Sequence, residues 1–134
     1  MKKSVLFTSI LLCSFLFFTH CSTKSADQQL LEAMQREAAT VNAQCPVVDG
    51  SLILDSCSVS SDKAFNYHYT MTDTSIASDT AAIASENKKI MLGVINNNPA
   101  MNEYKQLGVS FVYRFGDKAG NNVYSFRITP EDYQ

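Results

Sequence analysis

Two histidines in 134 residues cannot by themselves make a zinc site, which takes three or four protein ligands. One of them, His20, falls in a segment read below as a removed export signal, so His68 stands alone. The same scarcity limits nucleophilic chemistry, because a serine or cysteine nucleophile needs a positioned base. Ser75, Ser78 and Asp79 in "SIASD" have no histidine near them in sequence. Basic clusters are also missing. Eleven Lys and Arg stand against thirteen Asp and Glu, a poor balance for nucleic acid. After residue 21 there is no apolar run long enough to cross a bilayer. There are no repeats and no low-complexity segments. Asp49 before Gly50 and the pair Glu131–Asp132 read as turn and tail carboxylates, with nothing to place them as an acid/base pair. No catalytic residue, metal or cofactor is assigned, and an enzyme is not expected.

What is present begins at the amino terminus. "MKKSVLFTSILLCSFLFFTH" has two lysines and then an apolar run from Val5 to Phe18. That is short for a span and fits a secretory signal. Export by this route reads as that of a Gram-negative bacterium. Residues 1–21 are assigned to the signal, 22–26 to a tether and 27–134 to one domain with one modest core. Removing the signal takes away Lys2 and Lys3 and no acid. Nine basic and thirteen acidic residues remain, a net charge of −4. Cys21 follows the apolar run at once, as a lipid-acceptor cysteine must. Phe18 and His20 fit the lipoprotein box poorly, and Thr23 and Ser25 offer a rival cleavage after Ser25. The location is therefore exported: a periplasmic protein, or an outer-membrane or cell-surface lipoprotein held to the membrane through Cys21.

Cys13 leaves with the signal, so Cys45 and Cys57 remain in a compartment that permits disulfides. Strand geometry argues against a bridge. Cys57 is expected at the far end of a strand from Cys45, and six strand residues reach about 20 Å. Bridged Cα atoms lie within roughly 7 Å, so pairing requires the chain to double back.

"ADQQLLEAMQREAATVNAQ", residues 26–44, has Leu30, Met34, Ala38 and Val41 on one helical stripe. Ser25 or Asp27 can cap it, and Cys45-Pro46 stops it. "VVDGS" reads as a turn, with Gly50 free to take positive φ. "SLILDSCSVS" and "AFNYHYTM" read as strands joined at "SSDK". A longer helix follows from Asp73 or Thr74, with Ile76, Thr80, Ile83, Asn87, Ile90 and Val94 at helical spacing. "NNNP" breaks it, Asn98 caps a short second piece, and Gly108 ends that piece. "GVSFVYRF" and "NNVYSFRIT" are the last strands, joined at "GDKAGN", and "PEDYQ" is a tail.

The order helix, two strands, helices, two strands predicts an α+β fold. It is expected to be a two-layer sandwich with about four antiparallel strands in two hairpins and helices on one face. Phe65, Tyr67, Tyr69, Phe111, Tyr113, Phe115, Tyr124 and Phe126 are the expected core. The opposite face carries His68, Thr70, Ser110, Arg114, Ser125, Arg127 and Thr129. Of these, His68, Thr70, Arg114 and Arg127 form the candidate binding face, suited to a carboxylate or phosphate-like group. A plain solvated sheet face has the same composition.

"NAQCPVVDGSLILDS", "FNYHYTM", "INNNPAMNEYKQLGVSFVYRFGDKAG" and "SFRITPEDY" together resemble a family of small exported bacterial proteins, candidate lipoproteins. Its members show Gln-Cys-Pro, Tyr-x-Tyr-Thr and a closing hairpin around Asp-x-x-Gly. The resemblance spans nearly the whole mature chain and implies fold and export. It also implies Cys57 as a core residue rather than a bridge partner, and it carries no activity. The order of elements is similar to a secretion-chaperone-like fold, by analogy. Two functions remain open. One is a non-catalytic binding module for an envelope protein. The other is a small-molecule binder or enzyme with an aromatic pocket between helices and sheet.

Overall fold

A computed structural model describes residues 24–75 and 78–133. The signal segment, Cys21 and Ile76 lie outside those residues. The first helix, α1, runs Ala26–Asn42. Its start is a reciprocal capping box. The Ser25 hydroxyl accepts from the Gln28 backbone N–H, and the Gln28 side chain accepts from the Ser25 N–H. Two otherwise orphaned donors are satisfied this way. Leu30, Met34 and Ala38 are buried along its stripe.

Five strands follow the helix or the connections after it: β1 (Val47–Asp49), β2 (Leu52–Ser60), β3 (Ala64–Met71), β4 (Ser110–Gly116) and β5 (Asn122–Ile128). They form one open sheet in the order β1-β2-β3-β4-β5. The fold is mixed α+β, with five strands where about four were expected. The extra strand is β1, in a stretch whose sequence reads as a turn. Gly50, at φ 58°, makes the tight turn that lets Val47, Val48 and Asp49 pair antiparallel with Leu54, Ile53 and Leu52.

The all-antiparallel expectation is corrected as well. β3 and β4 pair in parallel, Phe65 beside Phe111 and Tyr69 beside Phe115. The chain between them holds α2 (Thr80–Asn97), a 3₁₀ turn (Pro99–Met101) and α3 (Asn102–Gln106). A connection that carries helices returns the chain to the same end of the sheet, which makes the next strand parallel. The β2–β3 and β4–β5 hairpins are as expected, with Gly120 at φ 85° in the second turn.

α2 starts later than its apolar spacing suggested. Its cap is Asp79, whose carboxylate accepts from the Ala82 N–H. Asn98 caps the 3₁₀ turn by accepting from the Ala100 N–H. The closing "PEDY" is a short helix, α4 (Pro130–Tyr133), not a free tail. Asp132 accepts from the Thr129 N–H and pairs with Lys88 of α2 at 2.8 Å, and the Tyr133 hydroxyl donates to the Val109 carbonyl.

Register stacks the aromatics in rows across β3, β4 and β5. Tyr67, Tyr113 and Phe126 form one row, with ring centroids 5.2 and 5.0 Å apart. Tyr69, Phe115 and Tyr124 form the next, at 5.0 and 4.4 Å. Leu30, Met34 and Ala38 of α1 and Ile95 of α2 belong to the same buried cluster. The aromatic face is therefore core, and both helices bury residues against it.

Candidate functional site

α1 packs mainly over β2, and α2 packs mainly over β5. Between them Tyr67 and Tyr69 stay partly exposed, while Tyr113, Phe115, Tyr124 and Phe126 are buried. A groove of about 350 Å³ opens there. One wall is the β1–β2 hairpin, through Val47, Asp49, Leu52 and Leu54. The other is α2, through Asn87, Ile90 and Met91, and the floor is Tyr69, Tyr113, Phe115 and Phe126. A second recess of about 220 Å³ shares Tyr69, Met91 and Tyr113 with it and reaches Val94, Ile95 and Met101. Polar groups are few. Asn87 is already engaged, donating to the Tyr124 hydroxyl at 2.8 Å.

The floor is electrically quiet. Burial raises the phenol pKa of Tyr67, Tyr69 and Tyr113 above the usual value. They stay neutral at any physiological pH, and the groove offers aromatic area with hydroxyl tips. The rim is apolar too. Ile90 is 54% exposed and Val94 is 52% exposed. Both were expected on the stripe that faces the sheet, but Met91 and Ile95, one residue further on, turn inward instead.

The predicted polar face lies on the other side of the sheet. His68 and Arg114 are register partners on β3 and β4, and Arg114 is opposite Ser125. His68, Thr70, Arg114 and Asp117 line one shallow depression of about 390 Å³. Arg127 is one row away and holds Asp62 at 2.7 Å. A hydrogen bond from Ser60 and the Arg127 pair keep the Asp62 carboxyl below its ordinary value. Thr70 donates to Asp55 at 2.8 Å. Ser110 is buried, and Thr129 donates to Asp132 at the start of α4. Three of the four candidate residues therefore meet around one depression. Arg127 is spent on Asp62, and Asp55 and Asp117 offset the positive charge.

Among the described residues, no three His, Cys, Asp or Glu gather as a metal site. No described helix is long and apolar enough to cross a membrane. Sequence reasoning missed the wall that β1 supplies and the exposed Ile90–Val94 rim. The signal for the rim was there. Ile83, Ile90, Met91, Leu92, Val94 and Ile95 spread over a wider arc of α2 than one sheet face can bury.

The family model of a domain of unknown function (DUF8479) matches residues 29–124. No curated protein matches the chain in sequence. Among solved structures, it is similar to a protein from Pseudomonas aeruginosa described as secreted. The TM-score is 0.70 at 13% identity, over 83% of this chain and 99% of that one. It is also similar to a pilotin of the Vibrio vulnificus type 2 secretion system, with TM-score 0.65 at 16% identity over 81% and 94%. A Vibrio cholerae type II secretion pilotin gives TM-score 0.58 at 11% identity over 79% and 94%. At these identities the likeness is one of fold.

Proposed function

This chain belongs to the DUF8479 domain family, and from that premise we propose that it is an exported, non-catalytic envelope protein that binds a protein partner. The observation that carries this reading is the aromatic groove with Ile90 exposed on its rim and Val94 exposed at the adjoining recess. Apolar side chains beside a partly covered hydrophobic floor mark a surface that a partner completes. The occupant we assign is an apolar stretch of an envelope protein. Solved proteins of this fold include pilotins of type II secretion systems, which supports a partner in the cell envelope. The export signal and a lipid on Cys21 complete the reading, with the anchor holding the domain at the membrane surface.

A small molecule is the second reading, because the groove volume falls within the range of ordinary ligand pockets. One experiment separates the two. A photoreactive residue is placed at position 94, and a second variant carries it at position 114 on the polar face. Irradiation of intact envelopes should give a discrete protein adduct from position 94, and Ile90→Glu should remove it. Adducts from position 114 alone would move the binding face to His68, Thr70, Arg114 and Arg127. Adducts at neither position, with a melting temperature raised by a metabolite, would favour the small-molecule reading. The intact mass of the mature chain reports whether Cys21 carries acyl groups or the chain starts near Ala26.

A further inference from the structure

Cys45 and Cys57 are far apart along the chain only until β1 is recognised. β1 reverses at Gly50 and runs back along β2, so that Val47 lies opposite Leu54. Cys45 is two residues before Val47, which brings it back toward the level of Cys57. Facing agrees as well. Leu54 and Val47 both line the groove on the aromatic side. The register of β2 on β3 shifts between Leu54 and Ser56, which makes Cys57, opposite Tyr67, the next β2 residue on that side. A second contact brings in the end of α1. The Asn42 side chain donates to the Cys57 carbonyl at 2.8 Å and accepts from the Cys57 N–H at 2.7 Å. Cys45 follows three residues later, its N–H donating to the Asn42 carbonyl at 3.2 Å.

We propose that Cys45 and Cys57 form an intramolecular disulfide that fastens the α1–β1 junction to β2. Both are thiols in the structure, Cys45 half-buried and Cys57 buried. The oxidant is a disulfide-bearing thiol oxidoreductase or small-molecule disulfide of the exported compartment, so for its setting the proposal rests on the export reading above. The Cys45 thiolate attacks one sulfur of that disulfide and expels the other as a thiolate. Cys57 then loses its proton, attacks the Cys45 sulfur and expels the second thiol. Two protein thiols are oxidised, and one external disulfide is reduced to two thiols. The order follows from access. Burial above all, with charge repulsion from its neighbours Cys45 and Glu37 adding to it, pushes the Cys57 thiol up to about 11. Cys57 is thus a poor first attacker, and its thiolate fraction limits closure. The closing rate should rise about tenfold per pH unit through the neutral range.

The test uses the full mature chain in a buffer of reduced and oxidised glutathione, which makes it independent of where the protein lives. After acid quench, unfolding and thiol alkylation, the expected product is a monomer two hydrogens lighter. It carries no alkyl group on Cys45 or Cys57 until reductant is added. Cys45→Ser should leave Cys57 alkylated without reductant. Two glutathione adducts, covalent dimers, or two alkylated thiols at a tenfold excess of oxidised glutathione would each overturn the bridge. Export is read separately from the amino terminus of the chain recovered from cells. Failure of export would leave the in-vitro oxidation result standing on its own.

Discussion

At the residue scale, Asn42 has a role that hydrophobic patterning does not disclose. It belongs to no apolar stripe, and its side chain satisfies both backbone groups of Cys57 in a partly buried setting. Truncation would strand a donor and an acceptor, at a cost of roughly 1–3 kcal/mol. Asn42→Ala should therefore lower the urea midpoint by that equivalent with an unchanged slope. Met34 is the contrasting case. Its side chain is fully buried on the α1 stripe, and its place there was legible from spacing alone. Met34→Ala should cost roughly 2–5 kcal/mol, as buried Met-to-Ala changes do. Equal stability of both variants with the wild type in a urea titration would contradict the packing of α1 on β2.

At the element scale, the closing segment shows how a polar tail becomes structure. Pro130–Tyr133 has no apolar period, so the sequence marks it as solvated. What orders it is a set of long-range polar contacts: Lys88 to Asp132, and the Tyr133 hydroxyl to the Val109 carbonyl. The Lys88 hydrogen bond, then the Thr129 N–H, hold the Asp132 carboxyl below its ordinary value. A depressed carboxyl pKa means that the folded state prefers the ionised form. This stabilisation is complete above the ordinary carboxylate value and is lost as pH falls below it. Melting temperature should therefore drop on going from about pH 5 to about pH 3. Asp132→Asn should show a smaller drop over that interval. An identical pH profile for the variant would remove Asp132 from this role. The strands illustrate the same limit on legibility. "AFNYHYTM" and "VYSFRI" alternate cleanly because one face is buried, and they were readable. Val47–Asp49 was not, because three exposed residues on an edge carry no alternation to read.

At the scale of the whole molecule, partner choice between elements is what local pattern leaves open. The two long helices and the four longer strands were legible, but β1 and α4 were not. The parallel β3–β4 pairing follows once the helical connection is taken as a crossover rather than a link between two closed hairpins. The groove is a consequence of that topology. With α1 mainly over β2 and α2 mainly over β5, the β3 ends of the central rows, Tyr67 and Tyr69, stay partly exposed, and the groove runs past Tyr69. The β1–β2 hairpin forms the far wall, and β1 is its weak point, an edge strand paired on one side over three residues. A Cys45–Cys57 bridge acts where that wall meets α1. By restricting the unfolded chain over a loop of about a dozen residues, it should add roughly 2–3 kcal/mol. For a domain of this size that corresponds to a melting temperature about 5–15 °C higher in the oxidised than in the reduced form. Cys45→Ser should melt with the reduced form and lose its response to reductant. The groove links this to binding. If the bridge holds β1 as a wall, amide exchange at Val47 and Val48 should slow on oxidation, while exchange in β4 should change only as far as global stability does. Equal exchange at β1 in both redox states would show that the wall stands without the bridge, even where the disulfide itself is proved by mass.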